Sequence, residues 1–269
     1  MVRRMPELDV PLVRLRAGQT ARRDAWWGPP LVTFLILSSF IVYATWAALQ
    51  NAHYFAGPYL SPFYSPEIFG SSPHAWFGVP SWFPSWLPFT PAMFILWAPV
   101  GFRLTCYYYR GAYYKAFWAD PPACAVGEPR TSYLGEKSFP LVIQNVHRFF
   151  LYPALALIVF LTLDVWHALW FPTGDGGTEF GIGVGTLVLL ANVVLLGSYT
   201  LGCHSLRHLI GGRHDVLSNK PVQKTCYDCV SSLNRRHMLF AWCSLFGVAF
   251  ADVYVRLVSM GVIHDWRIV

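Results

Sequence analysis

Charge is what this 269-residue sequence has least of: 20 Lys and Arg with 14 Asp and Glu make 13% of the chain, against about 25% in an ordinary soluble domain. Hydrophobic residues reach 55% and aromatic residues 17%. So little charge excludes a soluble enzyme of this size. The net charge of +6 does not restore a nucleic-acid-binding reading, because a chain with mean hydropathy +0.39 has no surface to spare for a basic face in water. Two stretches lack Lys and Arg altogether, one between Gln50 and Pro88 and one between Pro172 and Glu179. A cleavable secretory leader is not expected either, since the first apolar run is long, starts after residue 30 and has no small-residue cleavage site. The bilayer is the expected solvent.

What the sequence does have is long uncharged runs. A helix rising 1.5 Å per residue needs about 20 apolar residues to cross the roughly 30 Å hydrocarbon core. Five runs qualify: 31–49, 87–109 with Arg103 as its interruption, 141–171, 180–206 and 238–263. The third is long enough to tilt or to project from the membrane. Basic residues orient them, because Lys and Arg stay cytoplasmic. Arg3, Arg4, Arg14, Arg16, Arg22 and Arg23 precede the first run, and Arg110, Lys115, Arg130 and Lys137 lie between the second and third. Arg207, Arg213, Lys220, Lys224, Arg235 and Arg236 lie between the fourth and fifth. The expectation is an all-α membrane protein: a cytoplasmic segment over 1–30, then a five-helix transmembrane bundle over 31–263 with its amino terminus inside and its carboxyl terminus outside. Cytoplasmic loops are expected over 110–140 and 207–237. The outer loop over 51–86, rich in Pro, Trp, Phe and Tyr, reads as an aromatic interfacial flap.

That topology carries residues distant in sequence to one depth. Cys106 falls near the inner end of the second span and His147 near the inner start of the third. Cys203, His204 and His208 fall at the inner end of the fourth, and His237 at the inner start of the fifth. Cys124, Cys226 and Cys229 are in the inner loops, and Cys243 is less than two turns into the fifth span. All six cysteines therefore occupy the cytoplasmic half, where disulfides are disfavoured and redox chemistry or metal binding gains weight.

A faint repeat sharpens this. Cys106 and Cys203 are each followed by an Arg one helical turn later, and each return span begins with a His, at 147 and 237. Two such hairpins packed about a pseudo-twofold axis would gather two thiolates and two imidazoles in a bundle core. Structural zinc, a two-iron two-sulfur cluster of Rieske type and a bis-His b haem drawn from His147, His204, His208 and His237 all remain open at this stage. The soluble Rieske motif is absent, and Cys226 with Cys229 forms only half a recognisable metal motif.

With five spans, an inward amino terminus, these histidines and the segment Gly-Cys-His-Ser-Leu-Arg-His-Leu from Gly202 to Leu209, the chain resembles the single-subunit membrane anchor of complex II, the succinate dehydrogenase and fumarate reductase family. The resemblance extends over about residues 26–263. Most five-helix anchors bind two b haems through helix histidines, but here Cys106 and Cys203 occupy places where an inner haem ligand is expected, and the candidates in the outer half are His53 and His167. The resemblance thus points to the class of anchor with a membrane-embedded Rieske-type 2Fe-2S cluster, with Cys106, Cys203, His147 and His237 as its ligands and His204, His208, Cys226 and Cys229 as alternates. It implies a multi-pass protein of the cell's inner membrane, with flavoprotein and iron-sulfur subunits docked on the cytoplasmic face and electrons passing from succinate to a quinone.

Quinone carbonyls need hydrogen-bond donors in an apolar cleft, and position makes Tyr107, Arg110, Arg148, His204 and His208 the candidates. A basic helix end binding anionic lipid accounts for either Arg equally well. The inner loop over 112–138, with Lys115, Asp120, Glu128, Arg130, Glu136 and Lys137, is the expected docking surface. In the outer half, Asp164 and His167 share one span, while Asp252 and Arg256 sit one turn apart on another and can neutralise each other as structural glue. Two other classes stand beside this reading: a haem-binding anchor of another quinone-linked dehydrogenase, and a small transporter.

Overall fold

The computed structural model describes residues 16–130, 138–139, 141–212 and 214–269. Arg3, Arg4, Arg14, Glu136, Lys137 and Arg213, which entered the orientation and docking arguments, lie outside the described residues.

Among the described residues, four helices are long and apolar enough to cross a membrane. Helix α1 (Gly28–Leu49) starts with prolines in its first turn, where no N–H is required. It ends before Asn51 and His53, both at positive φ. The second run is not one helix. It consists of a 3₁₀ turn (Pro91–Phe94), α2 (Trp97–Leu104), α3 (Tyr107–Tyr113) and a π turn (Tyr114–Trp118). The break falls at Cys106, whose backbone is extended at φ −63° and ψ 132°. The third run becomes a 3₁₀ turn (Leu141–Val146) leading into α4 (His147–His167). The fourth becomes α5 (Val184–Leu201) and α6 (His204–Gly211), again broken at an extended cysteine, Cys203 at φ −66° and ψ 139°. The 207–237 stretch, expected as a loop, includes α7 (Pro221–Asn234), and the last span is α8 (His237–Ser259). The bundle is built by α8 on α5, α5 on α4 and α4 on α2, with α6 and α7 paired at its basic end.

At the opposite, aromatic end, the outer loop is half plug and half belt. A two-residue hairpin, β1 (Phe55–Ala56) and β2 (Tyr59–Leu60), introduces Tyr59, Phe63, Tyr64 and Glu67, all buried. The loop is sewn to the helices by its hydroxyls. Tyr64 donates to the carbonyl of Ala47 at 2.8 Å and Thr90 to that of Ala48 at 2.6 Å, satisfying carbonyls that the end of α1 leaves open. Ser61 donates to Asp252 and Ser65 to Asp164. Further on, Trp76, Trp82 and Trp86 remain exposed, in keeping with an aromatic belt. A second hairpin, β3 (Trp170–Pro172) with β4 (Thr178–Phe180), joins α4 to α5.

Asp252 and Arg256 form a buried ion pair, with Nε 2.7 Å from a carboxylate oxygen. Tyr43 also donates to Asp252. Arg256 donates to the carbonyls of Ala47 and Ala52, each at 2.8 Å. With their capacity taken up by α1, α8 and the outer loop, these charges act as glue, and the intramembrane-charge argument for a transporter loses its basis.

Candidate redox centre

The two cysteine breaks face each other at the basic end of the bundle. Each cysteine leaves the helical path, so its side chain points into the space between hairpins and its carbonyl opens a new short helix. The cysteines are buried, as is His147. His147 is the first residue of α4 and His237 the first of α8.

The pairing between hairpins is crossed. Nε2 of His147 lies 3.0 Å from Sγ of Cys203, and Nε2 of His237 lies 3.5 Å from Sγ of Cys106. Each imidazole thus meets the thiol of the other hairpin. An aromatic ring one turn before each cysteine supports the imidazole of its own hairpin. Phe102 stacks on His147 with centroids 4.6 Å apart and planes 19° apart, and Tyr199 stacks on His237 at 4.9 Å and 15°. Phe102 and Tyr199 themselves meet edge to face at 5.6 Å. The repeat of Cys and His read from the sequence is therefore also a repeat of aromatic, cysteine and histidine in space.

The symmetry fails at one point. Thr105 Oγ1 donates to the carbonyl of Gly101 at 2.7 Å and lies 2.9 Å from Nδ1 of His147. With its own proton spent on Gly101, the hydroxyl accepts from Nδ1–H, which leaves Nε2 of His147 bare and aimed at Cys203. The residue before Cys203 is Gly202, which has no hydroxyl, and Nδ1 of His237 is buried without a hydrogen-bond partner.

Arg103 completes the layer. Its Nη1 donates to the Tyr109 hydroxyl at 2.7 Å and its Nη2 to Ser244 at 2.8 Å. Its guanidinium carbon sits 4.8 Å from the centre of the Tyr199 ring. Tyr109 in turn donates to the carbonyl of Ala241 at 2.6 Å. A sequence signal for Arg103 existed, as the one charge inside an apolar run; Thr105, Phe102, Tyr109 and Tyr199 had none, because hydroxyls and rings are common in such runs.

The donor set is two thiols and two imidazoles, one imidazole with its tautomer fixed by an outer hydrogen bond. Among the described residues, no three His, Cys, Asp or Glu side chains are grouped closely enough to hold a metal ion as they stand. A Rieske-type cluster takes two cysteines on one iron and two histidines on the other, and two thiols with two imidazoles match that donor set in number and type.

The alternates lie elsewhere. His204 and His208 are exposed on α6, and Cys226 and Cys229 are exposed on α7. Of the five quinone candidates, three come together: Tyr107 meets His204 edge to face at 6.3 Å, and the Arg110 guanidinium lies 5.4 Å from the Tyr107 ring centre. Arg110 also donates to the buried Gln144. Arg148 is exposed and lies over Phe149 instead, and His208 is likewise apart from the trio.

Comparison with known proteins adds an independent line. A family model described as actinobacterial succinate dehydrogenase subunit SdhC matches residues 28–261. Among solved structures, a chain of the Mycobacterium smegmatis Sdh1 complex in the apo form is similar at 42% identity and a TM-score of 0.86, over 97% of this chain and 98% of that one. No curated protein matches.

Proposed function

Because the chain belongs to the actinobacterial succinate dehydrogenase subunit SdhC family, we propose that Cys106, Cys203, His147 and His237 hold a Rieske-type 2Fe-2S cluster through which this subunit relays electrons to a membrane quinone. The family places the chain as the membrane anchor of succinate dehydrogenase in the bacterial inner membrane, partnered by flavoprotein and iron-sulfur subunits. The flavin chemistry on succinate belongs to those partners.

The observation that supports the cluster assignment is the gathering of two thiols and two imidazoles at one end of the bundle, with His147 beside Cys203 and His237 beside Cys106. When bound, such a cluster supplies a one-electron carrier whose neutral imidazole ligands raise its potential above that of an all-cysteine cluster. The chain's own residues supply the rest. Thr105 holds the His147 ring in register, Phe102 and Tyr199 exclude water from both imidazoles, and Arg103 brings a positive charge to a layer containing two thiolates.

The orientation in this reading puts the basic end, with α6, α7 and the loop after α3, in the cytoplasm. There the segment before α1 pairs with that loop: Thr20 bridges to Val126, and Arg22 donates to the carbonyl of Cys124 at 2.9 Å. Asp120 and Arg130 pair at 3.2 Å within it. This folded surface is the docking site for the iron-sulfur subunit. Tyr107, Arg110 and His204, adjoining Cys106 and Cys203 along the chain, offer donors to a quinone carbonyl at the same end.

Electron paramagnetic resonance of the purified, reduced complex tests the assignment. A Rieske-type signal is expected; a b-type Soret and α band with no cluster signal would transfer His147 and His237 to a haem.

A further inference from the structure

Tyr199 does on one side of the site what Phe102 does on the other, and carries one group more. Phe102 stacks on His147 and Tyr199 on His237 at nearly the same separation and tilt, 4.6 Å and 19° against 4.9 Å and 15°. A plain phenyl ring therefore suffices to support an imidazole, and the Tyr199 hydroxyl serves something else. It belongs to a residue only 1% exposed and has no hydrogen-bond partner. Such orphans are uncommon, because the donor has given up water and gained nothing in return.

Acceptors around that hydroxyl are few. Arg103 lies over the Tyr199 ring at 4.8 Å, but a guanidinium only donates. The Tyr109 oxygen accepts from Arg103 and its proton goes to the carbonyl of Ala241. His237 presents the face of its ring in the stack. Cys106 remains. Its Sγ is 3.5 Å from Nε2 of that same His237, and it stands close enough to the Tyr199 hydroxyl to act on it electrostatically. The two cysteines also differ in what they accept. Cys203 takes the backbone N–H of Ser205 at 3.3 Å, whereas Cys106, in the matching place before α3, takes none from its helix. A neutral thiol is a weak acceptor, and a sulfur that carries negative charge is a strong one.

We infer that in the cluster-loaded protein the Tyr199 hydroxyl donates a hydrogen bond to the sulfur of Cys106 and thereby raises the potential of the cluster, an inference that rests on the reading of Cys106 as a cluster ligand. Hydrogen bonds to ligand sulfur are one of the levers that set iron–sulfur potentials. Such a bond strengthens as an added electron makes the sulfur more negative, so it favours the reduced state. An uncharged hydroxyl does this without adding charge to the layer that Arg103 already occupies. Each proposed thiolate then has a donor of its own, the Ser205 N–H for Cys203 and the Tyr199 hydroxyl for Cys106. The hydroxyl that the other hairpin lacks at Phe102 appears there at Thr105, where it serves the imidazole instead.

Redox titration of the intact purified complex, followed by electron paramagnetic resonance, tests this in Tyr199→Phe, which keeps the ring stacked on His237 and removes the hydroxyl alone. Iron content and the Rieske-type signal are expected to be retained, because Phe102 supports its imidazole without a hydroxyl. The reduction equilibrium is expected to shift about tenfold toward the oxidised form, about 59 mV for one electron. Pulsed measurements on the reduced wild type in heavy water should show an exchangeable deuteron coupled to the cluster that the variant lacks. A wild-type potential in Tyr199→Phe, an unchanged set of deuteron couplings, or loss of iron from the variant overturns the inference and leaves the ligand assignment in place. A wild-type complex with no Rieske-type signal overturns the ligand assignment and this inference with it.

Discussion

Nε2 of His147, the first residue of α4, lies 3.0 Å from Sγ of Cys203, the extended residue that ends α5's path. The two belong to different hairpins, so the contact ties the halves of the bundle together at the depth where the proposed cluster is held. It also defines the first experiment.

His147→Ala and His237→Ala each remove one proposed ligand. Quinone reduction by the complex is expected to fall by more than about 100-fold, beyond the 10–100-fold cost of losing a mere outer-shell partner. Succinate oxidation with a soluble dye continues, because the flavin lies in a partner subunit. Parallel assays with quinone and dye check this; quinone reduction at the wild-type rate in both variants would remove these residues from the ligand set.

Thr105→Val keeps the shape of the side chain and removes the oxygen that accepts from Nδ1 of His147. Cluster retention is expected to drop about 10- to 100-fold, with a shift in midpoint potential. Thr105→Ser restores both. Redox titration followed by electron paramagnetic resonance is the measurement, and a valine variant with the wild-type potential and iron content would show that the hydroxyl orients nothing.

Arg256→Met leaves Asp252 charged, at zero exposure, with the neutral hydroxyls of Tyr43 and Ser61 as its partners among the described residues. Breaking such a buried pair from one side costs about 3–5 kcal/mol. Thermal unfolding of the complex in detergent should show the loss. The double variant Asp252→Asn with Arg256→Met should recover much of it, because no uncompensated charge remains. A single variant as stable as the wild type would contradict the role of the pair as glue between α1, α8 and the outer loop.

Gly101→Ala tests the packing behind the site. A Cβ at position 101 would lie 2.2 Å from the Phe150 ring, so α2 and α4 must move apart at an expected cost of about 1–3 kcal/mol. The same shift disturbs the Thr105 to Gly101 bond, so lowered cluster content should accompany the lowered melting temperature. Unchanged values for both would mean that Phe150 turns aside freely.

Much of the candidate site was legible because it obeys two simple rules. Basic residues fix which span ends share a depth, and alternation of direction then collects Cys106, His147, Cys203 and His237. What local pattern could not show was the shape of the second run. Its apolar residues read as one span, yet Cys106 takes an extended conformation, and this detour is what aims the thiol at His237. Nor could pattern show that the 51–86 loop sends Ser61 and Ser65 down to Asp252 and Asp164, since a hydroxyl reveals its partner only once the chain has folded. The five quinone candidates were chosen by depth alone, and depth does not distinguish Tyr107, which meets His204, from Arg148, which turns to Phe149.

Composition and the placement of charge, by themselves, determined that this chain lives in a membrane, how its spans alternate and which thiols and imidazoles gather at one end, because the cost of moving Lys and Arg across hydrocarbon acts on each residue irrespective of its neighbours. Only the tertiary structure decided that the Cys and His pairs cross between hairpins, that Thr105 serves one imidazole while Gly202 leaves the other unserved, and that Arg103 reaches Tyr109 and Ser244 beside them. Those are relations of direction and distance between side chains, and they come into being only when the helices pack.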